Sequence, residues 1–107
     1  MQIQEIVSYT KLFDAYGKLL SQKQYDVMDK FLNMGFGESE IAELGNGSRQ
    51  SVHDAVTKAK KQLLEFENKC HFVEQSELLR NDLEKLKQEL NGLQKPVEMI
   101  DKIITKL

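Results

Sequence analysis

The sequence predicts an all-α fold on three observations. It holds one proline in 107 residues, its apolar residues recur three and four apart over most of the chain, and cap-forming residues stand just ahead of those periodic runs. Apolar residues make up 40% and charged residues 30%, enough for one core and too apolar for disorder. Strands have little support.

Each helix can be read in order. Ser8 is expected to cap the first, with Val7 and Leu12 as the apolar staple around the cap, and Leu12, Phe13, Tyr16, Leu19 and Leu20 repeat on its core face. Ser21 followed three residues later by Gln24 is a capping box, and Leu20 with Tyr25 supplies a second staple. A second helix therefore starts at Gln22 and turns Tyr25, Met28, Phe31 and Leu32 inward. Gly35-Phe36-Gly37 breaks the chain, after which Gly37 caps a short third helix that ends near Leu44. The turn Gly45-Asn46-Gly47 uses the residue types that enter the left-handed region at least cost. Ser48 then caps a fourth helix whose apolar face, Val52, Ala55, Val56, Ala59, Leu63, Phe66, Cys70 and Val73, is expected to run unbroken past Cys70.

Beyond Phe72 the pattern narrows to a seam. Leu79, Leu83, Leu86, Leu90, Leu93, Val97, Ile100, Ile104 and Leu107 alternate four and three apart, the spacing of a heptad. Gly92 and Pro96 predict a break or kink between Asn91 and Val97. A seam of this kind needs cover, and two arrangements supply it. Either the C-terminal helix folds back on the long fourth helix, or the chain forms a homodimer, in which a parallel pairing would set Asp82 against Lys87. Residues 1–73 thus form a helix-turn-helix module including the long recognition helix, and residues 74–107 a helical packing or dimerisation segment of the same domain.

Charge and chemistry narrow the function. The net charge of -2 is unusual for a protein that only grips a polyanion, but from Ser48 to Lys61 there are Arg49, Lys58, Lys60 and Lys61 against Asp54 alone. Cys70 is the single cysteine and has no internal disulfide partner. His53 and His71 lack metal-ligand spacing with it, no glycine loop of the phosphate-cradling kind is followed by Lys-Ser or Lys-Thr, and Ser48 lacks a nearby histidine and acid. No enzyme, no cofactor and no metal are expected. Without an apolar run of about 18 residues, membrane insertion is not expected either, and a cytoplasmic location is.

Two short helices joined by a glycine-bearing turn, the second opening on polar side chains, have the grammar of a helix-turn-helix. The exposed face of the second would present Ser48, Arg49, Gln50, His53, Asp54 and Thr57. Arg49 can meet two acceptors of guanine and Gln50 can pair with adenine, while Ser48 caps the helix and Lys58 meets a phosphate. Asp54 opposes a polyanion, and its local role is an ion pair with Lys58 one turn on.

Leu12-Phe13-Asp14 with Tyr16, Leu19-Leu20 and Lys23-Gln24, then Glu40-Ile41-Ala42-Glu43, Ser48-Arg49-Gln50 with Val52 and Asp54, and finally Leu63 with Phe66-Glu67, Lys69 and His71, resemble the YlxM-type family of small bacterial proteins. The resemblance spans roughly Tyr9 to Val73. It implies an all-helical bundle whose helix-turn-helix is similar to the promoter-reading module, region 4, of sigma factors. It also implies a cytoplasmic bacterial setting and an accessory or regulatory role in the signal recognition particle pathway. The expected partners are DNA or RNA, bound weakly, protein components of that particle, and a second copy of the chain. The alternative is a sequence-specific DNA-binding transcriptional regulator unrelated to protein targeting. Four positions depart from the family. Gly45 and Gly47 stand where its turn carries apolar plugs, Asn46 replaces a common glycine and can hold a left-handed conformation, and Glu38 replaces an apolar residue. Each lost plug would remove roughly 1.5 to 3 kcal/mol of burial unless Leu44 fills the gap.

Overall fold

The computed structural model describes residues 2–107, which form six α-helices and no strands. They divide into two compact units, one ending at Cys70 and one running from His71 to Leu107.

In the N-terminal unit, α1 spans Ile3–Tyr16. Ser8 lies inside it and does not cap it, because half-buried Ile6 and Tyr9 extend the apolar face upstream of the cap expected from sequence. The turn Gly17–Leu19 is a 3-10 helix; it buries Leu20 and leaves Leu19 exposed, so Leu19 is not a core residue. α2 spans Gln22–Met28 and begins as the capping box dictates. The Gln24 amide donates to Ser21 Oγ at 3.2 Å, and the Ser21 amide donates to Gln24 Oε1 at 3.1 Å. The helix continues as a wider π turn, Asp29–Asn33. Val27, Met28 and Leu32 are core, while Tyr25 and Phe31 are only half-buried.

α3 spans Glu38–Glu43 and α4 spans Arg49–Cys70. Val52, Ala55, Val56, Ala59 and Leu63 of α4 are buried, and with Val27, Met28 and Ile41 they form the centre of the core. The stripe recurs at helical spacing, and each Val, Ile or Leu contributes roughly 1.5 to 3 kcal/mol when fully buried. Two aromatic contacts bind α1 to its neighbours. Phe13 meets Tyr25 with ring centroids 5.0 Å apart, and Tyr16 meets Phe66 at 5.9 Å while its hydroxyl donates to Glu67 Oε1 at 2.6 Å.

α4 ends at Cys70 instead of running past it, although neither glycine nor proline stands there. His71 takes the left-handed conformation, φ 54°, and its carbonyl accepts the Gln75 amide at 3.0 Å, so it begins the next helix. Val73 therefore belongs to α5.

The C-terminal unit is a helical hairpin of α5, Phe72–Glu89, and α6, Gln94–Thr105, which pack on each other. The break falls where glycine and proline predicted it, with Gly92 at φ 90° and Pro96 in the first turn of α6. α6 thus folds back on α5. Ile100 is the only residue of this unit that is fully buried, and Leu83, Leu90, Val97 and Ile104 are half-buried beside it. Leu79, Leu86 and Leu93 of the same heptad remain exposed. Across the hairpin, Lys87 Nζ lies 2.8 Å from Asp101 Oδ1. Lys87 is consequently occupied within its own chain, and the parallel Asp82–Lys87 pairing expected of a dimer loses its cation.

Candidate nucleic-acid interface

The turn between α3 and α4 is built from backbone geometry and not from plugs. The Gly37 amide donates to Glu40 Oε1 at 3.3 Å at the start of α3. At its end the Gly45 amide reaches Ala42 O at 3.1 Å and the Asn46 side chain reaches Ile41 O at 3.4 Å. Gly45 and Gly47 take φ 90° and 107°, whereas Asn46 has a negative φ, so the left-handed residues are the two glycines and not the asparagine. A Cβ on Gly47 would collide with the Ser51 hydroxyl. Leu44 is exposed and does not fill the missing plug positions. Burial at the junction falls instead to Ile41 and Val52, both fully enclosed.

Ser48 caps α4: its Oγ accepts the Ser51 amide at 3.1 Å and its carbonyl accepts the Val52 amide at 3.0 Å. Its side-chain oxygen is therefore already used in positioning the helix. Arg49, Gln50, His53, Thr57 and Lys58 are all exposed. Two of them are engaged. Gln50 Nε2 donates to Asp54 Oδ1 at 3.0 Å, and Asp54 has this partner and not Lys58, because a carboxamide one turn upstream reaches it first. His53 Nδ1 sits 2.9 and 3.1 Å from the two carboxylate oxygens of Glu38. Glu38 thereby gains a purpose that an apolar residue could not have, tying the start of α3 to the second turn of α4.

Packing also redistributes the cations. The Lys60 ammonium lies 5.4 Å from the ring centroids of both Tyr9 and Phe31, a double cation–π contact that holds it to the core side of α4. This leaves Arg49, Lys58 and Lys61 on the exposed surface against Asp54. Gln50, Asp54, Thr57 and Lys61 follow at four-, three- and four-residue intervals, so they form one exposed crest.

A further cation comes from another helix. Lys23 of α2 places its ammonium beside Gly47, 3.5 Å from where a Cβ would stand, in a cleft also lined by Ser21, Ser51, Asp54 and Lys58. Lys23 belongs to the Lys23-Gln24 pair of the family resemblance, but no local pattern marked it as a cation of this interface. The signal available was its place two residues after the Ser21 cap, which fixes the exposed start of α2, but only the packing of α2 on α4 brings it to the turn.

Among the described residues, no group of three or more His, Cys, Asp and Glu side chains is placed to hold a metal ion, and no helix is long and apolar enough to cross a membrane.

A family profile described as "Putative helix-turn-helix protein, YlxM / p13 like" matches residues 3–103. A UPF0122 protein of Clostridium botulinum is 36% identical over 90 residues, covering 80% of this chain and 83% of the relative. A UPF0122 protein of Clostridium kluyveri is 30% identical over 94% of this chain and 93% of its own length. One from Fusobacterium nucleatum is 30% identical over 100% of this chain and 99% of its own. No solved structure matches the chain. The matched region takes in the capping box, the glycine turn and all of α4, and the chain belongs to this YlxM / p13-like helix-turn-helix family.

Proposed function

We propose that the chain is a non-enzymatic accessory or regulatory protein that holds nucleic acid, weakly, against the exposed side of α4. The observation that carries this reading is the convergence of Lys23 from α2 with Lys58 and the Ser21 hydroxyl in one cleft beside the turn, where the Asp54 carboxylate that also lines it is held by Gln50. Phosphate contacts of this kind position a nucleic acid without reading it. Arg49 and Gln50 open the recognition helix within reach of base edges, but Gln50 must first release Asp54. That cost favours electrostatic holding over strict sequence reading, and so favours an accessory role over a sequence-specific transcriptional regulator. The resemblance to the YlxM-type family supports placing that role in the signal recognition particle pathway, with the particle's components as partners.

A salt titration with duplex DNA and with RNA tests the reading. If Lys23, Lys58 and Lys61 each neutralise one phosphate, log affinity falls against log salt with a slope of roughly -3, and Lys23→Gln and Lys58→Gln each make it shallower by about 1. Arg49→Ala weakens binding further. Absence of retention at low salt on either nucleic acid would transfer the function to protein binding.

A further inference from the structure

The C-terminal hairpin leaves one side uncovered. On α5, Leu83 and Leu90 face α6, while Leu79 and Leu86 lie further round the helix and are 48% and 47% exposed. On α6, Val97, Ile100 and Ile104 face α5, while Met99 and Ile103 are 65% and 43% exposed. With α-helical residues spaced about 100° apart and the two helices antiparallel, both exposed pairs fall on the same side of the hairpin. That side is the one away from the Lys87–Asp101 pair.

The two edges of this apolar face carry opposite charge. Beyond Leu79 and Leu86, the outer edge of α5 carries Asp82 and Glu89, seven residues apart. Beyond Met99 and Ile103, the outer edge of α6 carries Lys95 and Lys102, also seven apart. All four are exposed, and none of them is in an ion pair among the described residues. Along the chain, Asp82 and Lys102 each stand ten residues from Gly92 at the turn, and Glu89 and Lys95 each three.

We propose that this face is the interface of a homodimer in which α5 of one copy lies antiparallel against α6 of the other, closing two hairpins into a four-helix bundle. The twofold axis runs parallel to the helices. This operation places the acidic edge of each copy on the basic edge of its partner, Asp82 opposite Lys102 and Glu89 opposite Lys95, twice over, with the exposed leucines, Met99 and Ile103 between them. The other face-to-face twofold, with its axis across the helices, sets α5 on α5 and acid on acid, so charge selects the first arrangement.

Sedimentation equilibrium of the full chain tests this. Wild type is expected to sediment at twice the chain mass. Reversing one edge with Asp82→Lys and Glu89→Lys raises the dissociation constant about tenfold or more, because basic then meets basic. Adding Lys95→Glu and Lys102→Glu in the same chain restores the dimer, since every cross-interface pair is again opposite in sign. Circular dichroism checks that each variant keeps its helices. A monomeric wild type at all concentrations overturns the proposal and leaves the face to a different protein. A dimer indifferent to the first pair of changes, or one that the second pair does not restore, overturns the arrangement.

Discussion

The two units spend their apolar residues differently. In the N-terminal unit Val27, Met28, Ile41, Val52, Ala59 and Leu63 have essentially no exposed surface, whereas the C-terminal hairpin buries Ile100 alone. Both are made of amphipathic helices. The difference is the number of neighbours each helix has: α4 is flanked by α1, α2 and α3, but α5 and α6 have each other. Two helices in contact can cover one stripe apiece, and any apolar residue outside that stripe stays in water. Four helices enclose a core that specifies a shape, while two leave a surface that calls for a partner.

Removing the same atoms from each unit should have unequal effects. Leu63→Ala is expected to destabilise the chain by about 2 to 5 kcal/mol, because a cavity opens at a site with no exposed surface. Leu78→Ala, at an exposed position of α5, should stay within about 0.5 kcal/mol. Urea unfolding of both variants measures this, and equal losses would show that burial does not separate the units.

The next largest effect concerns the turn. Filling the absent plug with Gly47→Ile is expected to cost stability, on the order of 1 to 3 kcal/mol, because Gly47 sits at φ 107° and a Cβ there meets the Ser51 hydroxyl. A raised melting temperature would mean that the turn can adopt the plugged form of the family. A smaller loss, about 1 kcal/mol, is expected for Ser21→Ala, which frees the Gln24 amide at the start of α2 while the residue 21 amide keeps its bond to Gln24 Oε1. Thermal melting should register it as a modest shift, and an unchanged midpoint would mean that tertiary packing alone holds that helix end.

The smallest effect belongs to the hairpin. The hydrogen bond to Asp101, and then the charge of that carboxylate, raise the Lys87 pKa above the usual lysine value. A raised lysine pKa means that the pair's contribution is fully present below the ordinary lysine range and is lost as pH rises through the folded-state value. Melting of the wild type should therefore decline slightly more steeply above about pH 10.4 than melting of Asp101→Asn. Parallel profiles would show that the pair adds nothing measurable, as for many exposed ion pairs.

What could be read from sequence was whatever is decided within a few residues. Ser21 with Gln24 and Ser48 ahead of Val52 are local hydrogen-bond geometries, and both formed as the residue types require. So did the Gly92 break. Ser8 misled because a cap-type residue inside a helix competes with the apolar face on either side of it, and Ile6 and Tyr9 prolonged that face. The stop at His71 carries no glycine or proline, so nothing local announced it. At the interface, the exposure of Arg49, Gln50, His53, Thr57 and Lys58 was legible from helical spacing. The partners Glu38 and Lys23 were not, since they come from other helices.

The presence of Ile100 as the one enclosed residue of the hairpin also sets a timescale. Amide hydrogens are protected from exchange by the free energy of the smallest opening that exposes them, and an element with one buried anchor opens at little cost. In an isolated chain the amides of α5 and α6 should therefore trade their hydrogens for deuterium long before those of α4 between Val52 and Leu63. Any partner seated on the hairpin would register first as a slowing of that clock.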